Sequence, residues 1–537
     1  MFDLILKGGT ILDGTGGPGY RADLAVQDGK IAAIAPEITG EAARVLDVTG
    51  LAVAPGFIDC HSHSDHVWLT DDRCESKLFQ GVTTEFSGQC GSSIYPCPAD
   101  RMERIREYAG KSREEWASGS LQEFMDKVAA DGRKMGTNQI PLIGHGALRC
   151  GVMGYEGRPA TEAELQQMRA LLDADMQAGA WGLSLGLGYT PGMFANQTEL
   201  NQLGEVVSRY GGIVTSHTRQ QGNHAFTSIQ EMINMNLYSG VHVHIVHLKL
   251  SGKRQHGNAD ELVSFMLKAR EGGVDLTADM YPYEASSTGF TVILPNWSLE
   301  GGKQAALQRL RGEYRQQLLE HLEKRYQTEA DGHRDVVVHT AGKMPEADGK
   351  DVWEIAQMLG CSMGRAALEV LDRSECRASS ITYSMDPRDV DYLLRQNWIA
   401  IGSDGRAFPL DPALNKGKPH PRNYGTFPRV LRLAREQGIC TMEMAVRRMT
   451  GLCADIIGLT DRGYLKEGLV ADITVFDPET VTDNGDYKDP IQKPTGICHV
   501  LMEGRFAIRD GLQTEERLGK FILKKQRVER RPLCANR

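Results

Sequence analysis

A chain of 537 residues is too long for one ordinary core and suits a large barrel plus a smaller domain. Lys and Arg total 61 against 70 Asp and Glu, a net charge of -9, so nothing electrostatic favours nucleic acid or an anionic membrane as a partner. No apolar run nears the roughly 20 residues of a spanning helix. The eleven cysteines follow no disulfide framework, and the start of the chain has no basic-then-apolar leader pattern. Reduced thiols and a cytoplasmic location are expected.

In chain order, residues 1–54 alternate short β patterns with turns. Asp28-Gly29 between Ala25-Val26 and Ile31-Ala32 is a hairpin signal. Similar patterns return at 471–477 and 499–505. The two ends, 1–54 and 456–515, therefore predict one small β-sandwich split by everything between them. Residues 55–455 alternate strands with helical patterns, the order of an α/β barrel. Strand candidates lie at 51–58, 82–86, 140–145, 180–187, 213–217, 241–247, 274–279 and 398–404, with helical pieces such as 121–129 and 162–175. Eight strands predict a TIM-type (β/α)8 barrel. The long interval 284–397 holds a charged helical stretch, 303–329, and predicts an inserted lid subdomain at about 289–345. Residues 516–537 are basic and read as a solvated extension.

Residues able to carry chemistry fall where these strands end. His61 and His63 are two apart after the first strand, so their imidazoles face one way. Cys90 follows the second strand, His217 ends the fifth, His247 ends the sixth and Asp404 ends the eighth. Taken singly, each has a plain structural reading: a buried thiol, a core histidine, a turn aspartate. Together they gather six metal-ligand types at the C-terminal strand ends, where barrels carry chemistry. Imidazole, thiolate and carboxylate suit Zn²⁺, with one position kept open for water or substrate. Such an ion lowers the pKa of a bound water to about 7 and polarises a scissile carbonyl. Asp404 is then placed to act as general base and to return the proton to a leaving amine.

The motifs Gly56-Phe57-Ile58-Asp59, His61-Ser62-His63-Ser64-Asp65, the Cys90 loop, Ser216-His217 and His247-Leu248-Lys249 carry a resemblance. So do Asp279-Met280-Tyr281-Pro282-Tyr283, Ile401-Gly402-Ser403-Asp404-Gly405, the stretch from His420 to Arg429, and Gly463 to Asp472. Together they resemble the amidohydrolase superfamily and, within it, the N-acyl-D-amino-acid deacylases (D-aminoacylases). The resemblance implies one tight zinc site of Cys90, His217 and His247. It also implies a weaker second site of His61 and His63, sharing Cys90 and Asp404. The substrate would be a small N-acyl-D-amino acid whose α-carboxylate is gripped by Lys249, Tyr281 (or Tyr283) and Ser287.

The chain departs from the family pattern at Gln89, Arg406 and Cys453. Arg406 could reach the substrate side chain, which opens acidic as well as apolar D-amino acids. A cyclic-amide hydrolase, a dipeptidase or a deaminase on the same barrel is the alternative. Against ring opening, the fourth strand, Trp181-Gly182-Leu183-Ser184-Leu185-Gly186-Leu187, lacks the lysine that such relatives modify. A non-catalytic scaffold would have shed ligands, and all six are present.

Overall fold

The computed structural model describes residues 1–96, 116, 118–328, 335–415 and 417–525. Both chain ends contribute to one nine-stranded sheet. Leu4–Ile11 pairs antiparallel with Tyr20–Gln27, which turns back through Asp28 and Gly29, both at positive φ, into Lys30–Ala35. Ala52–Pro55 joins the ends, since it lies parallel to Leu4–Ile11 and antiparallel to Ile473–Phe476. Alternate apolar residues such as Leu4, Leu6, Leu24, Val26, Ile473 and Val475 fill the core of this unit.

The expected first strand, 51–58, is two strands in two domains. Ala52–Pro55 belongs to the terminal sheet and Phe57–Asp59 is the first barrel strand. Gly56 marks the break: a Cβ there would sit 2.4 Å from the Thr83 hydroxyl, so only glycine lets the chain turn so close to the second barrel strand.

Seven more barrel strands follow: Val82–Ser87, Asn138–Pro141 continued as Ile143–Gly144, Gly182–Gly186, Ile213–His217, His242–Ile245, Leu276–Met280 and Ile399–Ile401. They pair in parallel and in sequence. Leu142 N–H donates to Ser87, which links the two halves of the third strand to the second. Bonds from Cys60 N–H to Ile401 and from Asp404 N–H to His61 close the eighth strand onto the first. The barrel strands are buried on both faces, as all-parallel strands under helices must be. The expected TIM-type barrel with a small β domain built from both chain ends is therefore present.

The inserted unit is larger than the interval 289–345. Its four-stranded sheet starts at Ala285–Gly289 and ends at Ser379–Tyr383, and it has its own core around Leu318, Leu322, Val338, Ile355 and Leu371. The first of these strands reads Ala-Ser-Ser-Thr-Gly, too polar to signal a strand before the charged helices. Glu329, at the end of the expected helical stretch, lies outside the described residues.

Residues 516–525 are not a solvated extension. Gln139 N–H donates to Lys520, Ile522 N–H donates to Gln139, and the Trp181 indole donates to Ile522, so this segment straps the base of the barrel. Residues 526–537 of that extension lie outside the described residues. Among the described residues no helix is long and apolar enough to cross a membrane.

Candidate metal centre and active site

Six expected ligands converge at the C-terminal mouth of the barrel. Cys90 Sγ stands 3.5 Å from His61 Nε2, 3.7 Å from His217 Nδ1 and 3.6 Å from His247 Nε2. Asp404 Oδ1 lies 3.4 Å from His61 Nε2 and 3.2 Å from His63 Nε2. His61, Cys90, His247 and Asp404 each present a ligand atom, all within 4.8 Å of one another.

These spacings can be compared with coordination geometry. Sulfur and nitrogen bound tetrahedrally to one zinc at about 2.3 and 2.05 Å stand about 3.5 Å apart. The cysteine–histidine distances match. The His217 and His247 nitrogens, at 2.8 Å, must part by about half an ångström to share an ion. The donor set therefore fits zinc.

Backbone conformation presents these groups. Cys90, His247 and Asp404 have φ of 53°, 39° and 50°, left-handed values that a non-glycine residue adopts at a cost. Each follows a barrel strand, and the reversal turns its side chain back over the mouth. The surroundings hold these turns. Gln89 donates to Cys60 and Phe86 carbonyls at 3.4 Å and accepts from Thr215 at 2.7 Å, which pins the cysteine loop. Ser184, on the fourth strand, accepts from Gly91 N–H, so that strand supports the cysteine loop and supplies no lysine.

Beneath the mouth lie charges that sequence reasoning gave no role. Asp279 Oδ1 accepts from His247 N–H at 2.7 Å, and Oδ2 pairs with His244 at 2.8 Å and faces His61 Nδ1 at 3.7 Å. Lys77 is fully buried, 2.6 Å from Asp59, 3.4 Å from Glu85 and 2.8 Å from Ser403 Oγ. Asp59 also accepts from the backbone N–H groups of His61 and Ser403. The first, second and eighth strands are thus tied together by one ionic cluster.

Arg422, the first residue of the helix Arg422–Gln437, reaches Asp404 Oδ2 at 2.8 Å as an ion pair whose N–H points off the line of a hydrogen bond. The motif containing Arg422 is visible in the sequence, but its pairing with a residue 18 positions earlier is not.

Titration follows from this packing. Burial raises the Cys90 thiol, but the His61 charge and bonds to His217 and His247 outweigh it and hold the thiol well below its ordinary range. Burial likewise opposes ionisation of Asp404, and Arg422 with the neighbouring histidines overrides it, keeping the carboxylate charged. His61 is pulled well above the usual imidazole range by Cys90, Asp279 and Asp404 against the cost of burial. Burial, then the Lys249 charge, pushes His247 down to about 3, so it stays a neutral donor.

The mouth opens into a cleft of about 430 Å³. His63, Cys90, Tyr189, Ser287, Arg406, Asp404 and Arg422 line it. Lys249 and Tyr281 stand behind this lining. Lys249 Nζ is 2.9 Å from His247 Nδ1 and 3.3 Å from Gln221, and lies 5.4 Å from the Tyr281 ring centre. Tyr281 also packs under Arg422 at 5.0 Å, and its buried hydroxyl has no hydrogen-bond partner among the described residues. Tyr283 instead packs against Arg429.

A barrel carrying an imidazole, thiolate and carboxylate cluster at its C-terminal mouth, beside a split β-sandwich, defines a metal-dependent amidohydrolase. The amidohydrolase family model matches residues 44–508. An N-acyl-D-aspartate deacylase of Alcaligenes xylosoxydans xylosoxydans is 34% identical over 523 residues, covering 97% of this chain and 95% of its own. Among solved structures, the N-acyl-D-glutamate deacylase of Bordetella bronchiseptica, complexed with zinc and a phosphonate inhibitor, has a TM-score of 0.82 at 31% identity. It covers 97% of this chain and 99% of its own. A D-aminoacylase with a binuclear metal centre has a TM-score of 0.80 at 32% identity, covering 98% and 100%. The chain belongs to the D-aminoacylase (N-acyl-D-amino-acid deacylase) family of amidohydrolases.

Proposed function

We propose that this chain hydrolyses the linear amide of N-acyl-D-amino acids, releasing a carboxylate and the free D-amino acid. The observation that carries the reading is Asp404, ionised by Arg422 and set within 3.4 Å of His61 and His63 at the head of the cleft. Cys90, His217 and His247 would hold zinc tightly. His61 and His63 would form the second site, sharing Cys90 and Asp404. When bound, zinc acidifies a water and polarises the scissile carbonyl.

The chain's own residues do the rest. Asp404 takes the proton of the attacking water at its carboxylate and delivers it to the leaving nitrogen. Arg422 keeps that carboxylate charged between turnovers. Asp279 orients the His61 ring from behind. Ser287 and Arg422 meet the substrate α-carboxylate from the cleft, and Lys249 and Tyr281, packed behind that lining, support the grip from a second layer. The place of Tyr281 beside Lys249 and under Arg422 supports its part in that grip over Tyr283, which packs against Arg429. Arg406, on the cleft wall over Phe408, meets the substrate side chain and favours a carboxylate there.

The test sets N-acetyl-D-amino acids against cyclic amides, using zinc-loaded protein and following amine release and ring opening. Release of D-amino acid with no ring opening upholds the reading. Ring opening alone sends the assignment to the cyclic-amide hydrolases.

A further inference from the structure

Beside the cleft lies a second chamber of about 270 Å³, between the loop after the fourth barrel strand and the inserted unit. Tyr155, Met193, Val292, Leu294 and Leu299 give it an apolar lining. Tyr189, Thr288, Gly289 and Lys303 line both spaces, so chamber and cleft share a wall. Tyr189 is the hinge of that wall. Its ring centre is 4.5 Å from that of His217, and its hydroxyl accepts from Thr288 at 3.1 Å, joining barrel loop to insertion.

The two spaces differ in charge. The guanidinium groups of Arg406 and Arg422 line the cleft and not the chamber. In the chamber the one cation among the described lining is Lys303, at the shared edge. A molecule seated with its scissile amide at the metal ligands meets cations on one side and apolar surface on the other. An N-acyl amino acid divides in the same way, with its carboxylates on the nitrogen side and its hydrocarbon on the carbonyl side. Resting on the deacylase reading above, we propose that this chamber is the acyl site and that the preferred acyl group is a medium-length or aromatic hydrocarbon, larger than acetyl. Val292 is 44% exposed at the chamber, so its outer end is open to solvent and a chain longer than the chamber has room to emerge.

Each methylene moved from water into such a lining improves binding about fourfold. The experiment is a chain-length series on one D-amino acid, from N-acetyl through N-butyryl and N-hexanoyl to N-octanoyl, with the zinc-loaded full chain. The expected result is a stepwise rise in kcat/KM totalling at least a hundredfold. Val292→Asp and Leu299→Trp, each checked for an intact fold by thermal melting, should cut the octanoyl-to-acetyl ratio at least tenfold. A flat or falling series, with N-acetyl substrate still hydrolysed, overturns the acyl site and leaves the deacylase reading standing. So does an unaltered ratio in both variants. No turnover of any D-substrate overturns both.

Discussion

Asp404 Oδ2 and Arg422 Nη1 stand 2.8 Å apart, both nearly buried, while Asp404 Oδ1 faces the two histidines that follow the first barrel strand. The carboxylate is therefore held charged between a permanent cation and two candidate metal ligands. For Asp404→Asn, turnover should fall by at least 10²-fold, the scale of a lost general base, while the tight zinc remains. Metal analysis alongside kcat checks this. Near-normal turnover would remove Asp404 from the proton transfers.

Cys90 sits 3.5 to 3.7 Å from three imidazoles and is the shared member of both candidate sites. Cys90→Ala should therefore bind no zinc at either site after dialysis. Full metal occupancy in that variant would mean that the ligand set is wrong.

Lys77 is a fully buried cation between Asp59 and Glu85. Removing it leaves two carboxylates without their counter-ion, a loss of about 3–5 kcal/mol. Lys77→Met should lower the denaturation midpoint clearly, and a midpoint within error of the parent would show that the cluster tolerates its absence.

Asp175 is buried, with one oxygen accepting from Leu121 N–H and the other unpartnered among the described residues. Burial raises its carboxyl from 3.8 to about 7. The folded state thus holds a proton that the unfolded state releases above pH 4. Stability falls as pH rises from 4 to 7, and the full cost, up to about 4 kcal/mol, is present above pH 7. Asp175→Asn keeps an acceptor for Leu121 and should raise Tm by a few degrees at pH 8 but little at pH 4.5. Equal gains at both pH values would contradict the titration.

Much of the site was legible because ligand residue types stood at the ends of recognisable strands: His61, His63, Cys90, His217, His247 and Asp404 all meet at one mouth. The relations between them were not. The left-handed turns at Cys90, His247 and Asp404 leave no mark in a pattern of apolar residues. Lys77 lies in the short helix Glu75–Leu78, which carries no sequence motif, and only the barrel's closure brings it to Asp59 and Ser403. Lys249 looked like a cation projecting into the cleft beside His247. In the structure it sits behind that ring, because the positive φ at His247 changes the alternation that a straight strand would impose. Gly56 was read as the middle of one strand, because no local signal says that its neighbours serve different domains.

Arg406 lines the cleft and packs on Phe408 at 4.9 Å. Arg406→Leu should lower kcat/KM for N-acyl-D-Asp and D-Glu by at least tenfold while sparing D-Leu and D-Met. Parallel losses on all four would make Arg406 a general carboxylate contact.

The most direct measurement is amine release by the zinc-loaded protein from paired N-acetyl-D- and N-acetyl-L-amino acids, with Asp, Glu, Asn, Met, Leu and Phe side chains. Release from the D series with the L series silent is the predicted result. Equal release from both series, or release from the L series alone, would contradict the account.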